Sequence, residues 1–295
     1  MKNSEKILLT GASGFIGQNI IKSNKNFFIY GIVNKNTNNN FRSNNVKYIK
    51  IDLLKKNFIS KLPKDIDYIL HFAQSPKYKK DLFAIDDIMQ VNFNATVELL
   101  KFASLIKIKK FIYASSGSIY DPKSKYQLRE NEIIKPNSAY GMSKFFSERI
   151  IEKYNDYFDI LSLRIFFPYI IDSLNGKGYL NFLLNNIIHN KEHFIDLSEN
   201  FCFKPLDVRD LSHIVLKFLN IKNQQSIINL SGLKTFESYD LSKKIITKMN
   251  IKKRIIKPKK TLNFDNSNYY LNKYISKNDY QFNFDISSFI KNNYL

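Results

Sequence analysis

Lys6-Ile7-Leu8-Leu9-Thr10-Gly11-Ala12-Ser13-Gly14-Phe15-Ile16-Gly17 is the stretch on which the fold turns. A short apolar run ends in glycines and opens into a sequence that can be helical. A buried strand followed by this turn and a helix is the arrangement a dinucleotide needs. Gly11 allows the tight turn, Gly14 lets backbone approach a pyrophosphate, and Gly17 lets the helix lie close to the strand. The helix N-terminus offers N–H groups and partial positive charge to phosphates.

Working outward, apolar strands alternate with helical patterns. The expected strands are 27–33, 46–52, 67–73, 111–116 and 160–166, and the expected helices are 85–105 and 138–154. The Asn-rich tract 34–45 reads as a loop. Strands alternating with helices predict an α/β fold, a Rossmann-like doubly wound parallel sheet with ligands at the carboxyl ends of its strands. After Pro168 the pattern loosens: helices are expected at 179–190, 210–219 and 239–249, and extended chain at 205–208 and 226–230. The expected division is a dinucleotide-binding domain over 1–167 and a smaller substrate-binding region over 168–295, with about 206–235 packing back on the first domain. The basic tract 252–260 reads as a solvated surface segment.

Composition narrows the function. The 295 residues carry a formal charge of +20, but only six of the 46 basic residues are Arg. Arg is the residue favoured for base and phosphate readout. Its scarcity and the even spread of Lys argue against a nucleic-acid partner and for a basic cleft that attracts a phosphorylated small molecule. No apolar stretch approaches the roughly 18 residues of a membrane span, and no signal-peptide core is expected at the N-terminus. The single Cys202 excludes an internal disulfide and a cysteine-based metal cluster. The expectation is a cytoplasmic protein with no membrane partner and no metal.

A second constellation carries chemistry. Tyr140-Gly141-Met142-Ser143-Lys144 puts a phenol and an ammonium at i and i+4, on one helix face. An ammonium beside a phenol favours the phenolate and lowers its pKa from about 10. The phenolate can then take a proton from a substrate hydroxyl as hydride leaves the adjacent carbon. The expected strand 111–116 ends in the hydroxyls of Ser115-Ser116-Gly117-Ser118, and Ser116 lies 24 residues before Tyr140. A serine there can orient the substrate oxygen or donate to a developing oxyanion.

In order and spacing, these pieces resemble the extended short-chain dehydrogenase/reductases, in the NAD-dependent epimerase/dehydratase branch that modifies nucleotide sugars. The matching segments are 10–17, Asp52-Leu53, His71-Phe72-Ala73-Gln74, Val91-Asn92, the serine-rich strand end and 140–144. The resemblance implies Tyr140 as acid/base, Lys144 as its activator and ribose ligand, and Ser116 as the substrate hydroxyl partner. It implies cofactor contacts from Gly11, Ser13, Gly14, Phe15, Ile16, Gly17, Asn34, Lys35, Asp52, Leu53, Phe72, Ala73, Gln74 and Asn92. Substrate contacts would come from Gln74, Ser116, Phe167, Lys204 and Arg209. Phe167 stands where the family's Leu-Arg-x-Phe-Asn strand has its Asn, so the substrate lining departs from the pattern. A homodimer through helices 85–105 and 138–154 is also implied.

The resemblance leaves the reaction divided. Sugar 4,6-dehydratases of this family carry Thr-Asp-Glu where this chain has Ser116-Gly117-Ser118, so the carboxylates that remove water are missing and dehydration is disfavoured. Epimerisation and reduction of a 4-keto sugar both remain. A reductase on a non-sugar carbonyl and a non-catalytic cofactor sensor are alternatives on the same fold. The cofactor is NAD or NADP: an acid at the end of the second strand would bond a ribose 2′-OH, but Asn34-Lys35-Asn36 has none, which leans toward NADP.

Overall fold

The computed structural model describes residues 4–34, 43–124, 127–170, 178–189, 194–197 and 199–282. Strand β1 (Lys6–Thr10) is followed by helix α1 (Phe15–Ser23), β2 (Phe28–Val33), β3 (Val46–Lys50) and β4 (Tyr68–His71). Helices α2 (Ile85–Met89) and α3 (Ala95–Ile106) precede β5 (Lys110–Ser116), and α4 (Ala139–Ile151) precedes β6 (Asp159–Ile165). One seven-stranded sheet runs in the order strand Ile227–Leu230, β6, β5, β4, β1, β2, β3. The ladders that join β3, β2, β1, β4 and β5 are parallel. The expected Rossmann-like α/β fold is therefore present, with strand boundaries within about two residues of those read from periodicity.

The order of the strands locates the crevice. From β1 the chain builds outward through β2 and β3, then returns to place β4 on β1's other side. Ligands in such sheets bind where that direction reverses, beyond the carboxyl ends of the two strands. Here those ends carry Gly11 and the segment Phe72-Ala73-Gln74. Beneath them lies a core of buried side chains that includes Leu8, Ile69, Leu99, Phe111 and Ile160.

The expected helix over 85–105 is present as one continuous run with an irregularity inside it. The residues Gln90–Asn94 form a π-turn between α2 and α3. A π-turn inserts one extra residue and re-aims the side chains around it. The side chain it re-aims is Asn92, which is fully buried.

The chain divides into two compact units: 1–120, 134–164 and 212–228 in the first, and 121–133, 165–211 and 229–295 in the second. The second unit has its own small sheets, among them the three-stranded sheet of Phe236–Glu237, Asn200–Phe203 and Thr261–Asn263. Its core is built from Tyr169, Leu180, Leu184, Phe203, Leu241 and Ile245, drawn partly from the helices Tyr179–His189 and Ser238–Lys248. Among the described residues no helix is long and apolar enough to cross a membrane.

Glycine is obligatory where α1 meets the turn. A Cβ on Gly17 would stand 2.2 Å from the Gly11 carbonyl oxygen and 2.9 Å from Ala12 Cα, whereas one on Gly14 would meet that oxygen at 3.0 Å. The Gly17 contact is backbone against backbone, which cannot yield without shifting the helix. Overpacking of this kind costs on the order of 1–3 kcal/mol. Gly17→Ala should therefore lower Tm by roughly 4–10 °C, and Gly14→Ala by clearly less, when the two are compared by thermal unfolding followed by circular dichroism.

Candidate active site

The glycine turn is the first wall of the site. Gly11 sits at φ +73°, and a Cβ there would lie 2.8 Å from the Phe72–Ala73 backbone. The Gly14 N–H donates to the Gly11 carbonyl at 2.8 Å. Gly14 is the N-cap of α1 and provides no side-chain cap, and the first turn carries no acid. The positive end of the helix dipole is left for an anion. Ser13, Phe15 and Ile16 are half-buried around this turn. A cradle that any side chain would fill, at an uncapped helix start, fits the pyrophosphate of a dinucleotide.

The β4 end is held by a hydrogen-bond relay. The Ala73 N–H donates to Thr10 Oγ1 at 3.2 Å, and Thr10 Oγ1 lies 2.6 Å from His71 Nδ1. On the other side of the ring, His71 Nε2 lies 2.9 Å from Thr96 Oγ1, whose hydroxyl donates to the Asn92 carbonyl at 2.6 Å. Because Thr96 spends its proton on Asn92, His71 must donate from Nε2 and accept at Nδ1. Burial, with the nearby Lys144 charge, holds His71 down at about 3. It is a neutral link between β1, β4 and α3.

Asn92 extends the relay to α4. Its Oδ1 accepts from the Ser75 N–H at 2.9 Å and its Nδ2 donates to Ser143 Oγ at 2.9 Å. Its carbonyl also receives the Ser147 hydroxyl at 3.0 Å. Asn92 thus fixes the segment beyond Gln74 and the helix that bears Tyr140.

The helix α4 is started by Ser138, whose side chain accepts from the Gly141 N–H, and by Asp81, which accepts from the Ala139 N–H. Gly141 lets this first turn approach the serine-rich strand end, since a Cβ there would meet the Ser118 carbonyl at 2.6 Å. The Tyr140 ring is half-buried against Tyr78, 5.3 Å between centroids, and its hydroxyl donates to Gln74 Oε1 at 3.1 Å. Ser116 Oγ accepts from the Ser118 N–H and hydroxyl at 3.2 and 3.0 Å. Lys144 is buried, donates to the Ala114 carbonyl at 2.7 Å, and lies 4.7 Å from the Tyr113 ring centroid and 5.7 Å from that of Tyr140.

The electrostatics differ from the reading of the pair in isolation. An ammonium at i+4 was expected to depress the phenol. Instead, packing around Tyr140 pushes it up to about 12, and the opposing influence is a hydrogen bond with Ser116 rather than Lys144. Lys144 is itself pushed down to about 7 by burial. The cause is depth: Lys144 lies under the helix with its ammonium on a strand carbonyl, so it is neither fully charged at neutral pH nor bonded to the phenol oxygen.

Other expected site residues fall in varied places. Asp52 follows β3 and accepts from the Leu54 N–H, while Leu53 is buried in the hydrophobic core. Phe72 is buried and Asn34 is exposed at the end of β2. Lys35 lies outside the described residues. In the second unit, Phe167 has φ +43°, uncommon for a bulky residue, and its ring packs on Phe203, Phe264 and Tyr179. Lys204 is bound to the Asn266 carbonyl at 2.6 Å and to Asp265 at 3.0 Å. Arg209 grips Asp207 at 2.8 and 2.9 Å and stacks over Phe282. Ser115, beside Ser116, turns the other way and donates to Glu148 at 2.5 Å. Two buried charged groups, Glu148 on α4 and Arg164 on β6, have no role from motif reading, although Arg164 is the Arg of the segment that resembles the family's Leu-Arg-x-Phe-Asn strand.

A glycine cradle beside Ser116, Tyr140 and Lys144 is the arrangement that the resemblance to short-chain dehydrogenase/reductases implies. The chain belongs to the NAD dependent epimerase/dehydratase family, whose sequence model matches residues 7–231. It is 26% identical over 242 residues to a putative UDP-glucose 4-epimerase of Methanocaldococcus jannaschii, covering 76% of each chain. It is also 26% identical over 164 residues to the human dTDP-D-glucose 4,6-dehydratase, covering 51% of this chain and 47% of the relative. Among solved structures, UDP-glucuronic acid 4-epimerase from Bacillus cereus, in complex with UDP-glucuronic acid and NAD, superposes with TM-score 0.76 at 21% identity, covering 97% and 96% of the two chains. A UDP-N-acetylglucosamine 4-epimerase from Methanobrevibacter ruminantium gives 0.75 at 21%, covering 99% and 96%. The likenesses to solved structures show the fold, and the family model makes the chain a member of the NAD dependent epimerases and dehydratases.

The His71 relay predicts a pH effect on stability. Its folded pKa of about 3 lies below the unfolded value of 6.5, so only the unfolded chain takes a proton between these limits. The full contribution is present above pH 6.5, and up to about 4–5 kcal/mol is lost as pH falls toward 3. Chemical denaturation of wild type and His71→Gln between pH 7 and 4 should show a shallower decline in the variant, from a lower starting stability.

Proposed function

We propose that this protein is a nucleotide-sugar 4-epimerase or 4-ketoreductase in which Tyr140 exchanges the proton of the sugar hydroxyl or carbonyl. The observation that carries the reading is the convergence of three chain segments on Tyr140: Gln74 after β4 and Ser116 at the end of β5 meet its hydroxyl, and Lys144 lies one turn further along its own helix α4. When bound, the cofactor accepts and delivers hydride at a sugar carbon.

The residues of the chain do the rest. Gly11, Gly14 and the start of α1 would hold the pyrophosphate, Ala73 would line the cofactor phosphates or ribose, and Asn92 would support the site. The Tyr140 Oη is protonated at neutral pH and hands that proton to a carbonyl oxygen as it becomes a hydroxyl. In the reverse direction it takes the hydroxyl proton, and the Ser116 hydrogen bond stabilises the charge left on Oη. Gln74, at hydrogen-bond distance from the same oxygen, orients it toward the substrate. Lys144 serves as the ribose ligand and a proton store below the phenol. Dehydration is left out of the proposal, because Gly117 and Ser118 supply no carboxylate for removing water.

The cofactor choice has support on each side. The family and the NAD in the related structures favour NAD, and the missing carboxylate at Asn34-Lys35-Asn36 favours NADP. A cytoplasmic location belongs to the same reading. So does a homodimer: Met142 and Phe146 on α4, Leu105 on α3 and Phe83 before α2 are exposed apolar side chains on the first unit. Exposed groups of this kind are what a partner subunit covers.

Incubation with a panel of UDP- and dTDP-sugars and their 4-keto forms, with each cofactor in turn, should yield the C4 epimer by NMR or consume reduced cofactor at 340 nm. Tyr140→Phe should reduce turnover by about 10² to 10⁴-fold with unchanged cofactor affinity by calorimetry. A variant that turns over at the wild-type rate refutes the role given to Tyr140. In light scattering at micromolar concentration, the wild type should run at twice its 34.7 kDa mass and Phe146→Glu closer to the single-chain value.

A further inference from the structure

Beneath the site lies a charged pair for which the mechanism has so far found no use. Arg164 on β6 and Glu148 on α4 are 1% and 0% exposed. Their geometry is fork to fork, Arg164 Nη2 to Glu148 Oε2 at 2.8 Å and Nε to Oε1 at 3.0 Å. Arg164 Nη1 also donates to the Tyr120 hydroxyl at 2.5 Å, with the guanidinium over that ring. Burying an ion pair is no general route to stability, since well-packed apolar residues often do as well or better. Its position is more informative than its strength.

Glu148 touches both functional elements. It lies one helical turn beyond Lys144 on α4, and it accepts from the Ser115 hydroxyl at 2.5 Å. Ser115 sits between Ala114, whose carbonyl receives the Lys144 ammonium, and Ser116. One carboxylate therefore clamps the strand end that supplies both the lysine's acceptor and the site serine. The groups facing Lys144 are Tyr140 and Glu148 from its own helix, Tyr113 from β5 and His71 from β4. Arg164, from β6, pairs with Glu148. Within this set Glu148 is the one anion, and its charge opposes the effect of burial on the lysine.

We propose that Glu148 and Arg164 form a positioning pair: together they fix the β5 end that bears Ser116 and set the charge balance around Lys144. The inference rests on the acid/base reading of Tyr140 and Lys144 for its functional meaning. The clamping of the β5 end stands on the geometry itself, the Arg164–Glu148 fork and the Ser115–Glu148 hydrogen bond. Glu148's charge favours the Lys144 ammonium, and the guanidinium paired with it, of the ammonium's own sign, would work the other way. Removing Glu148's charge leaves an unopposed guanidinium near the ammonium and disfavours it. Removing Arg164 leaves an unopposed carboxylate and favours it.

The test is an NMR titration of the full-length protein labelled at lysine Cε, with the Lys144 signal assigned by its loss in Lys144→Met. The Lys144 midpoint should fall by about one pH unit in Glu148→Gln and rise by about as much in Arg164→Met. A role confined to packing would admit water in both variants and move both midpoints upward; that result, or two unmoved midpoints, overturns the proposal. Should a single variant fail to fold by circular dichroism, Glu148→Met/Arg164→Met, which leaves no lone charge, should fold and show a midpoint below wild type, and an unchanged midpoint there is equally decisive against it. The titration needs no turnover. Failure of every nucleotide sugar to react would remove the proposed function and leave the midpoint shifts as they are, while turnover with unmoved midpoints would remove only the pair's role. With an active substrate, Glu148→Gln should lower kcat at least tenfold at constant KM and displace the pH profile.

Discussion

The Gly11 carbonyl is the tightest point in the first unit, and the site is arranged around it. It receives the Gly14 N–H, and α1 passes so close that position 17 has no room for a Cβ. Gly11 itself lies against the backbone after β4. Three close backbone approaches bring the ends of β1 and β4 together with the start of α1. Steric contacts of this kind have steep energies, so the cradle is shaped before any ligand arrives. That shape leaves the positive end of α1 facing the crevice at which the strand order reverses.

From this point a polar spine carries order to the reacting groups. Ala73, Thr10, His71, Thr96 and Asn92 are linked by hydrogen bonds that run in one direction through a neutral imidazole. Asn92 then passes the constraint to Ser143 and Ser147 on α4, and so to the helix that carries Tyr140 and Lys144. The π-turn at Gln90–Asn94 lets Asn92 serve both sides. Buried polar groups are costly when unpaired, so a network satisfied at each of these links holds one geometry in preference to alternatives. Glu148 and Arg164 extend the same principle to the far side of β5.

The second unit follows a different logic. Lys204 and Arg209, which motif comparison assigns to substrate, have acidic or carbonyl partners within that unit. Phe167 is drawn into an aromatic cluster at a backbone conformation unusual for its size. Substitution of the family's Asn by Phe exchanges a polar group for packing, so the departure seen in the sequence has a structural counterpart.

The strand–glycine–helix start, the alternation of apolar strands with helices and the Tyr140/Lys144 pair were legible in the sequence because each is written in local spacing. Glycine positions, periods of two and 3.6, and an i, i+4 pair depend on neighbours within a few residues. What only the tertiary structure decided was where those groups stand relative to one another and in what medium. Burial raised the Tyr140 phenol and lowered the Lys144 ammonium, against the expectation from their spacing alone. A π-turn inside a continuous helix carries Asn92, the junction of the site. His71 and Arg164 fall within motif-like segments and Glu148 in none, but the part each plays emerges only when residues from other segments close over them. Desolvation and hydrogen-bond partners come from distant segments, and no local pattern encodes them.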